Sequence, residues 1–197
     1  MSHVMLITGS LRKNSCNTKL LRYLESLLPG NFTVDFLGSD ALALPLFNEE
    51  LENELEYKLE CEKIHARFGS AQGFLIATPE YNGLITAYLK NTIDWVSRLS
   101  YIDSSKLNPF LDKPALLCSA STGHRGGSHA TSNARDLLSY VGVNAIGGSI
   151  CINHATEKFC HEKIQLSESE FAEVEFHMNR WLNAIYAHSG MEQFSEC

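Results

Sequence analysis

The sequence predicts a doubly wound α/β fold, a parallel sheet covered by helices on both faces. Three observations predict it. Short apolar runs lack the polar alternation of a half-exposed strand, so they suit strands buried on both sides. Longer segments with helical spacing separate these runs in strict alternation, the pattern of parallel strands joined by helical crossovers. Finally, 197 residues with 44% hydrophobic and 20% charged side chains are enough to bury a full core without disulfide staples.

The first strand is the run Val4 to Thr8, ended by Gly9-Ser10. After a polar loop, Asn17 to Leu28 carries Leu20, Leu21, Leu24, Leu27 and Leu28 at helical spacing, and Pro29-Gly30 stops it. Phe32 to Leu37 is the second strand. Leu42 to Glu50, with Pro45, reads as a loop. Leu51 to Phe68 spaces Leu51, Leu55, Leu59 and Ile64 among many charges, an amphipathic helix whose acids form a solvated face. The third strand is Gly73 to Thr78, ended by Pro79, and Ile85 to Leu99 is the next helix. Pro114 to Ala120 is the fourth strand, Gly123 to Gly127 a glycine-rich loop, Ser128 to Tyr140 a helix, and Val143 to Ile152 the fifth strand. Asn153 to Lys163 is irregular. Leu166 to Ala187 closes the chain as a helix with Phe171, Val174, Met178, Trp181, Leu182 and Ile185 inward, and Ser167 with Glu170 forms a capping box.

In such a sheet ligands bind beyond the carboxyl ends of the strands, at the switch point. The chemistry-bearing residues collect in the loops after the first, third and fourth strands. Gly9 to Asn17 places hydroxyls, amides and two cations ahead of a helix N-terminus, where exposed N–H groups and the helix dipole suit a phosphate. Ser10, Ser15 and Asn17 supply neutral donors and Arg12 a charge-assisted contact. Capping by Ser15 or Asn17 would account for one such residue, not for a whole polar loop. The loop lacks the Gly-Lys-Ser/Thr ending of a P-loop and has too few glycines for a dinucleotide fingerprint. Pro79, Glu80, Tyr81, Asn82 and Gly83 form the second loop, which reads either as a wall for a ligand ring or as an ordinary turn capped by Asn82. Ser121, Thr122 and Gly123, with Gly126 and Gly127, let the backbone of the third loop approach a flat ligand closely. No G-x-S-x-G elbow exists, so hydrolase chemistry is set aside, and His124 and His129 read as rim histidines.

A net charge of −7 argues against nucleic acid as a partner. Six scattered cysteines without a C-x-x-C pair read as reduced thiols. The N-terminus carries no signal-peptide pattern and no apolar run reaches the length of a membrane span, so the expected address is the cytoplasm, with no membrane association. Cys151, His154, Cys160 and His161 read as incidental thiols and surface histidines rather than a metal site.

Taken in order, Gly9-Ser10-Leu11-Arg12 with Ser15 and Asn17, Pro79-Glu80-Tyr81-Asn82, Lys90 to Arg98, Lys113-Pro114 and Gly126-Gly127 resemble the NADPH-dependent FMN reductase family of the flavodoxin-like superfamily. That family includes bacterial quinone, chromate and azo-dye reductases. The resemblance runs from about Val4 to Ile152. It implies a three-layer flavodoxin-like fold with a five-stranded parallel sheet in the order 2-1-3-4-5, making residues 1–197 one FMN-binding domain. It also implies non-covalently bound FMN, with NADPH or NADH as electron donor and a small-molecule acceptor. By this resemblance Ser10, Arg12, Ser15 and Asn17 hold the FMN phosphate, and Pro79, Glu80, Tyr81 and Asn82 line the isoalloxazine edge. Ser121, Thr122 and Gly123 approach the ring, and the Lys90 to Arg98 helix lies near the interface of a homodimer or homotetramer. Trp95 and Ile93 in that helix also fit plain core positions. His124-Arg125 departs from the family, whose loops are often apolar or small there, and the tail after Asn153 matches no family motif.

The activity so implied is ping-pong hydride transfer through FMN to quinones, free flavin, azo dyes or metal oxyanions. The flavin carries the hard chemistry, so no catalytic acid, base or nucleophile is assigned to the protein. Two other classes fit the same fold. A flavodoxin-type electron carrier typically has a phosphate loop without arginine, which Arg12 counts against. A regulatory module would have lost the flavin and would stay colourless when offered FMN.

Overall fold

The computed structural model describes residues 1–38, 44–159 and 164–190. Leu42, at the start of the loop expected over Leu42 to Glu50, and Cys160, His161 and Cys197 lie outside the described residues. A five-stranded sheet runs in the order β2-β1-β3-β4-β5, with every neighbouring pair parallel. The strands are β1 (Ser2–Thr8), β2 (Phe32–Leu37), β3 (Phe74–Ala77), β4 (Pro114–Ala120) and β5 (Asn144–Ile152). This is the doubly wound sheet read from the sequence, in the flavodoxin-like order that the family resemblance implies.

The apolar runs without polar alternation became the central strands, which have neighbours on both sides. All residues of β3 and β4 are buried, and β1 is nearly so. Two cores result, one on each face. Side chains of α2 (Leu55–Ser70), α3 (Ala87–Ile102) and α4 (Ser128–Tyr140) pack with Met5, Ile7, Phe74, Ile76, Ala115 and Leu117. Side chains of α1 (Cys16–Ser26) and α6 (Glu168–His188) pack with Val4, Leu6, Leu75, Ala77, Leu116 and Cys118 on the other face. Alternate residues along each strand therefore serve opposite cores, as strand geometry requires. The edge strand β5 is half exposed, and its register slips between Ala115 and Leu117 of β4. Arg135 donates there to the carbonyls of Ala145 (3.0 Å) and Ile146 (2.6 Å), and Arg180 to that of Gly147 (3.0 Å). Both cations occupy carbonyls of the sheet's edge strand, which would otherwise attract another chain.

The structure departs locally from the sequence reading in α2, in α6 and in the tail after β5. Leu51 lies in a separate 3₁₀ turn (Glu49–Asn53), because the chain is extended at Glu54, and α2 starts only at Leu55. Leu55 and Leu59 stay 71% and 49% exposed, and the buried face of α2 is Cys61, Ile64, His65 and Phe68. On α6, Phe171 is exposed, whereas Val174, Met178, Trp181, Leu182 and Ile185 are buried as read. A short helix α5 (Ala155–Lys158) forms where irregular chain was expected, and the capping box of Ser167 and Glu170 is present.

Candidate functional site

The loops after β1, β3 and β4 meet at the carboxyl ends of three adjacent strands, because the order β2-β1-β3-β4 sets β1, β3 and β4 side by side. Backbone and side-chain ties hold them there. The Gly9 amide donates to Ala77 O at 2.7 Å, and Thr86 Oγ1 donates to Gly9 O at 2.6 Å. A Cβ on Gly9 would lie 3.0 Å from Thr78 Oγ1, so the first loop passes the third strand at a distance that favours glycine.

In the first loop, Ser15 is the N-cap of α1, and its Oγ accepts from the amides of Asn17 (3.2 Å) and Thr18 (3.4 Å). Ser10 is buried and its Oγ accepts from the Arg12 amide at 3.3 Å. Arg12 and Lys13 are exposed, and neither side chain has a hydrogen-bond or ion-pair partner among the described residues. Two free cations thus stand beside a helix N-terminus, the arrangement that attracts a phosphate. Asn17 is placed differently from a free donor. Its Oδ1 accepts from Ala120 N at 2.9 Å and its Nδ2 donates to Ala120 O at 3.0 Å, so the amide clamps α1 to the end of β4.

In the second loop, Tyr81 and Leu84 exchange two backbone hydrogen bonds of 3.0 and 3.1 Å around Asn82-Gly83. Both central residues have positive φ, 54° and 80°, the signature of a tight turn of type I′. Thr86 rather than Asn82 caps the following helix, accepting from Leu89 N at 3.2 Å. Tyr81 is exposed at the mouth. Glu80 turns away from the turn, and its Oε2 accepts from the amides of His129 (3.2 Å) and Ala130 (3.4 Å) in α4.

In the third loop, Ser121 N donates to Ile152 O at 3.0 Å and Ser121 Oγ accepts from Gly123 N at 3.2 Å. Thr122 and Gly123 are exposed. Gly126 and Gly127 have φ of 60° and 85°, and a Cβ on Gly126 would lie 2.8 Å from Cys151 O. Arg125 Nη1 donates to His129 Nε2 at 2.6 Å across the surface of this loop. The tail that follows β5 buttresses it, through Ala155 N to Ser121 O at 2.9 Å and Asn153 Nδ2 to His124 O at 3.4 Å.

The structure thus brings Ser10, Arg12, Ser15, Asn17, Pro79, Glu80, Tyr81, Asn82, Ser121, Thr122 and Gly123 to one end of the sheet. It adds residues that sequence reading left as helix interior. Asn91 Nδ2 and Trp95 Nε1 both donate to Pro45 O, at 2.9 and 2.8 Å, and Asn91 Oδ1 accepts from Phe47 N at 2.7 Å. The spacing of Asn91 and Trp95, one turn apart, is the signal that could have revealed this anchor of the loop after β2. Lys113 likewise serves structure: its ammonium donates to Phe68 O and Gly69 O at 2.8 Å, closing the C-terminus of α2. Cys151 lies against Thr131 Oγ1 at 3.6 Å, with its thiol pKa raised mainly by burial. Among the described residues no three His, Cys, Asp or Glu side chains are grouped to hold a metal ion.

The donor set fits FMN. Unpaired cations, with the hydroxyls of Ser10 and Ser15, match a phosphate at the α1 terminus, and the open space around Gly83 and Gly123 in the other two loops leaves room for a flat ring. Fold and site together define the class of flavodoxin-like flavin oxidoreductases. A sequence model of the family described as NADPH-dependent FMN reductase matches residues 2–157, and the chain belongs to this family. It is 33% identical over 138 residues to the quinone reductase of Escherichia coli K12, covering 70% of each chain. It is also 33% identical over 143 residues to an NAD(P)H-dependent FMN reductase of Pseudomonas aeruginosa, covering 73% of this chain and 72% of that one. Among solved structures, the flavoenzyme NAD(P)H:(acceptor) oxidoreductase of Paracoccus denitrificans superposes with a TM-score of 0.80 at 25% identity, over 95% of this chain and 99% of that one. This protein is accordingly an FMN-dependent NAD(P)H oxidoreductase. No helix among the described residues is long and apolar enough to cross a membrane.

Proposed function

We propose that residues 1–197 act as one FMN-binding domain in the cytoplasm, taking electrons from NADPH or NADH and delivering them to flat acceptors such as quinones, free flavin or azo dyes, and to metal oxyanions. The carrying observation is the convergence of three cross-tied loops on one end of the sheet, with Arg12 unpaired among the described residues at the α1 terminus. Bound FMN supplies the electron-transfer chemistry. The protein's part is binding and orientation. Ser10, Ser15 and Arg12 hold the phosphate, and Asn17 keeps that loop in place through its clamp on Ala120. The backbone of Pro79 to Asn82 and of Ser121 to Gly123 bounds the ring, with Tyr81 at the open mouth where substrates enter.

Quinones as acceptors are supported by relatives named quinone reductase and 2-hydroxy-1,4-benzoquinone reductase. The exposed Leu55 and Leu59 of α2, beside α3, support assembly as a homodimer or as a dimer of dimers through this face. The test is a stopped-flow spectrum of FMN-loaded protein mixed anaerobically with NADH or NADPH. Rapid bleaching of the flavin band is the expected result and reveals the preferred nucleotide. Bound flavin that does not bleach would assign an electron carrier, and failure to take up FMN a non-catalytic module.

A further inference from the structure

We infer that Glu80 is a positioning residue, whose carboxylate fixes the separation of the two loops that bound the flavin ring and sets the charge at that end of α4. The inference rests on the reading that FMN lies between these loops. The first turn of α4 has no side-chain cap of its own. Its N-cap position is Gly127, which has no side chain to offer the free N–H groups. No larger residue fits there. Gly127 has φ of 85°, and a Cβ would overlap the hydroxyl of the buried Ser119 beneath it. The amides of the second and third helical residues, His129 and Ala130, would therefore stand unsatisfied.

Glu80 supplies what Gly127 cannot. Its Oε2 accepts from His129 N at 3.2 Å and Ala130 N at 3.4 Å, the same amides an N-cap side chain would serve, but from 49 and 50 residues away. The tie is long-range and joins the loop after β3 to the helix after β4. One carboxylate thereby holds both sides of the slot. No cation pairs with Glu80 among the described residues, so its charge is answered by the α4 dipole. Removing that charge leaves the positive end of α4 facing the slot unopposed, which favours electron-rich, reduced flavin.

The test titrates FMN into apoprotein of wild type, Glu80→Ala and Glu80→Gln, and follows amide exchange across residues 128–131 in the same apoproteins. Glu80→Ala should raise the FMN dissociation constant about tenfold and speed exchange at His129 and Ala130, as expected for a lost N-cap. Glu80→Gln keeps an accepting oxygen, so binding should stay within about threefold of wild type and exchange should remain slow. Because it drops the charge, its bound-FMN midpoint potential should move to more positive values. Wild-type binding and wild-type exchange in Glu80→Ala would overturn the inference. If Glu80→Ala does not fold, Glu80→Gln decides alone: retained binding with a positive shift supports the inference, and an unmoved potential overturns it. Wild-type protein that takes up no FMN would instead defeat the reading of the site itself.

Discussion

Arg12 and Asn17 lie five positions apart in one loop, yet they act in opposite ways. The guanidinium is free of partners among the described residues, while the amide is engaged with Ala120 at both ends. A charged donor held free at a helix N-terminus is poised for an anionic ligand. Arg12→Ala should therefore weaken FMN binding by about 1.5–3 kcal/mol, the range for a hydrogen bond to a charged group, and fluorescence titration of apoprotein will measure it. Unchanged affinity would remove Arg12 from the phosphate site. At this scale the sequence disclosed which residue types gather in which loop. It did not disclose which polar atoms are spent within the protein. The Asn17–Ala120 clamp spans 103 residues, and no local pattern encodes such a partner. Glu80 is the same case: its place in the second loop was legible, but its engagement with α4 was not.

Elements that obey local rules were legible. The Asn82-Gly83 pair signals a tight turn, and Ser167 with Glu170 a capping box, because both depend only on neighbours a few positions away. The face of α2 was not. Of the positions read as its apolar face Ile64 is buried, but Leu55 and Leu59 are not, and the core took Cys61, His65 and Phe68 with Ile64, since the helix starts after an extended Glu54 and packs on α3 by a different stripe. What periodicity misread as core is an exposed apolar stripe, which the proposed homodimer or homotetramer would use. If the proposed dimer or dimer of dimers forms through this face, replacing both Leu55 and Leu59 by Glu should convert the wild-type oligomer to monomers in sedimentation equilibrium. The same change should leave folding stability within about 0.5 kcal/mol, as for surface substitutions generally. A large loss of stability would mean that the stripe belongs to the monomer's own core, and an unchanged mass would move the interface elsewhere.

For the molecule as a whole, the sheet was legible because strands buried on both faces carry no polar alternation, and helical crossovers then leave few topologies. The same double burial has a cost in acid, since each helical layer encloses one histidine among the described residues. His65 on α2 is buried with Nε2 3.3 Å from Ser100 Oγ. His177 on α6 is buried with no partner for its Nδ1 among the described residues, pressed against Gly148 and near Arg135, Arg180 and Glu173. Burial is the main cause that lowers both pKa values below 6.5, so the folded state prefers both rings neutral. The unfolded chain consequently binds more protons in the window between the folded values and about 6.5. Stability from these groups is thus fully present above that pH and is lost as pH falls through the window. Each ring contributes a slope of at most about 1.4 kcal/mol per pH unit. Urea unfolding at pH 7.5, 6.5 and 5.5 should show that decline before most carboxylates begin to titrate. His177→Gln should make the decline shallower, whatever it does to stability at pH 7.5, because the slope counts protons rather than contacts. A slope equal to wild type would assign the acid sensitivity to other groups.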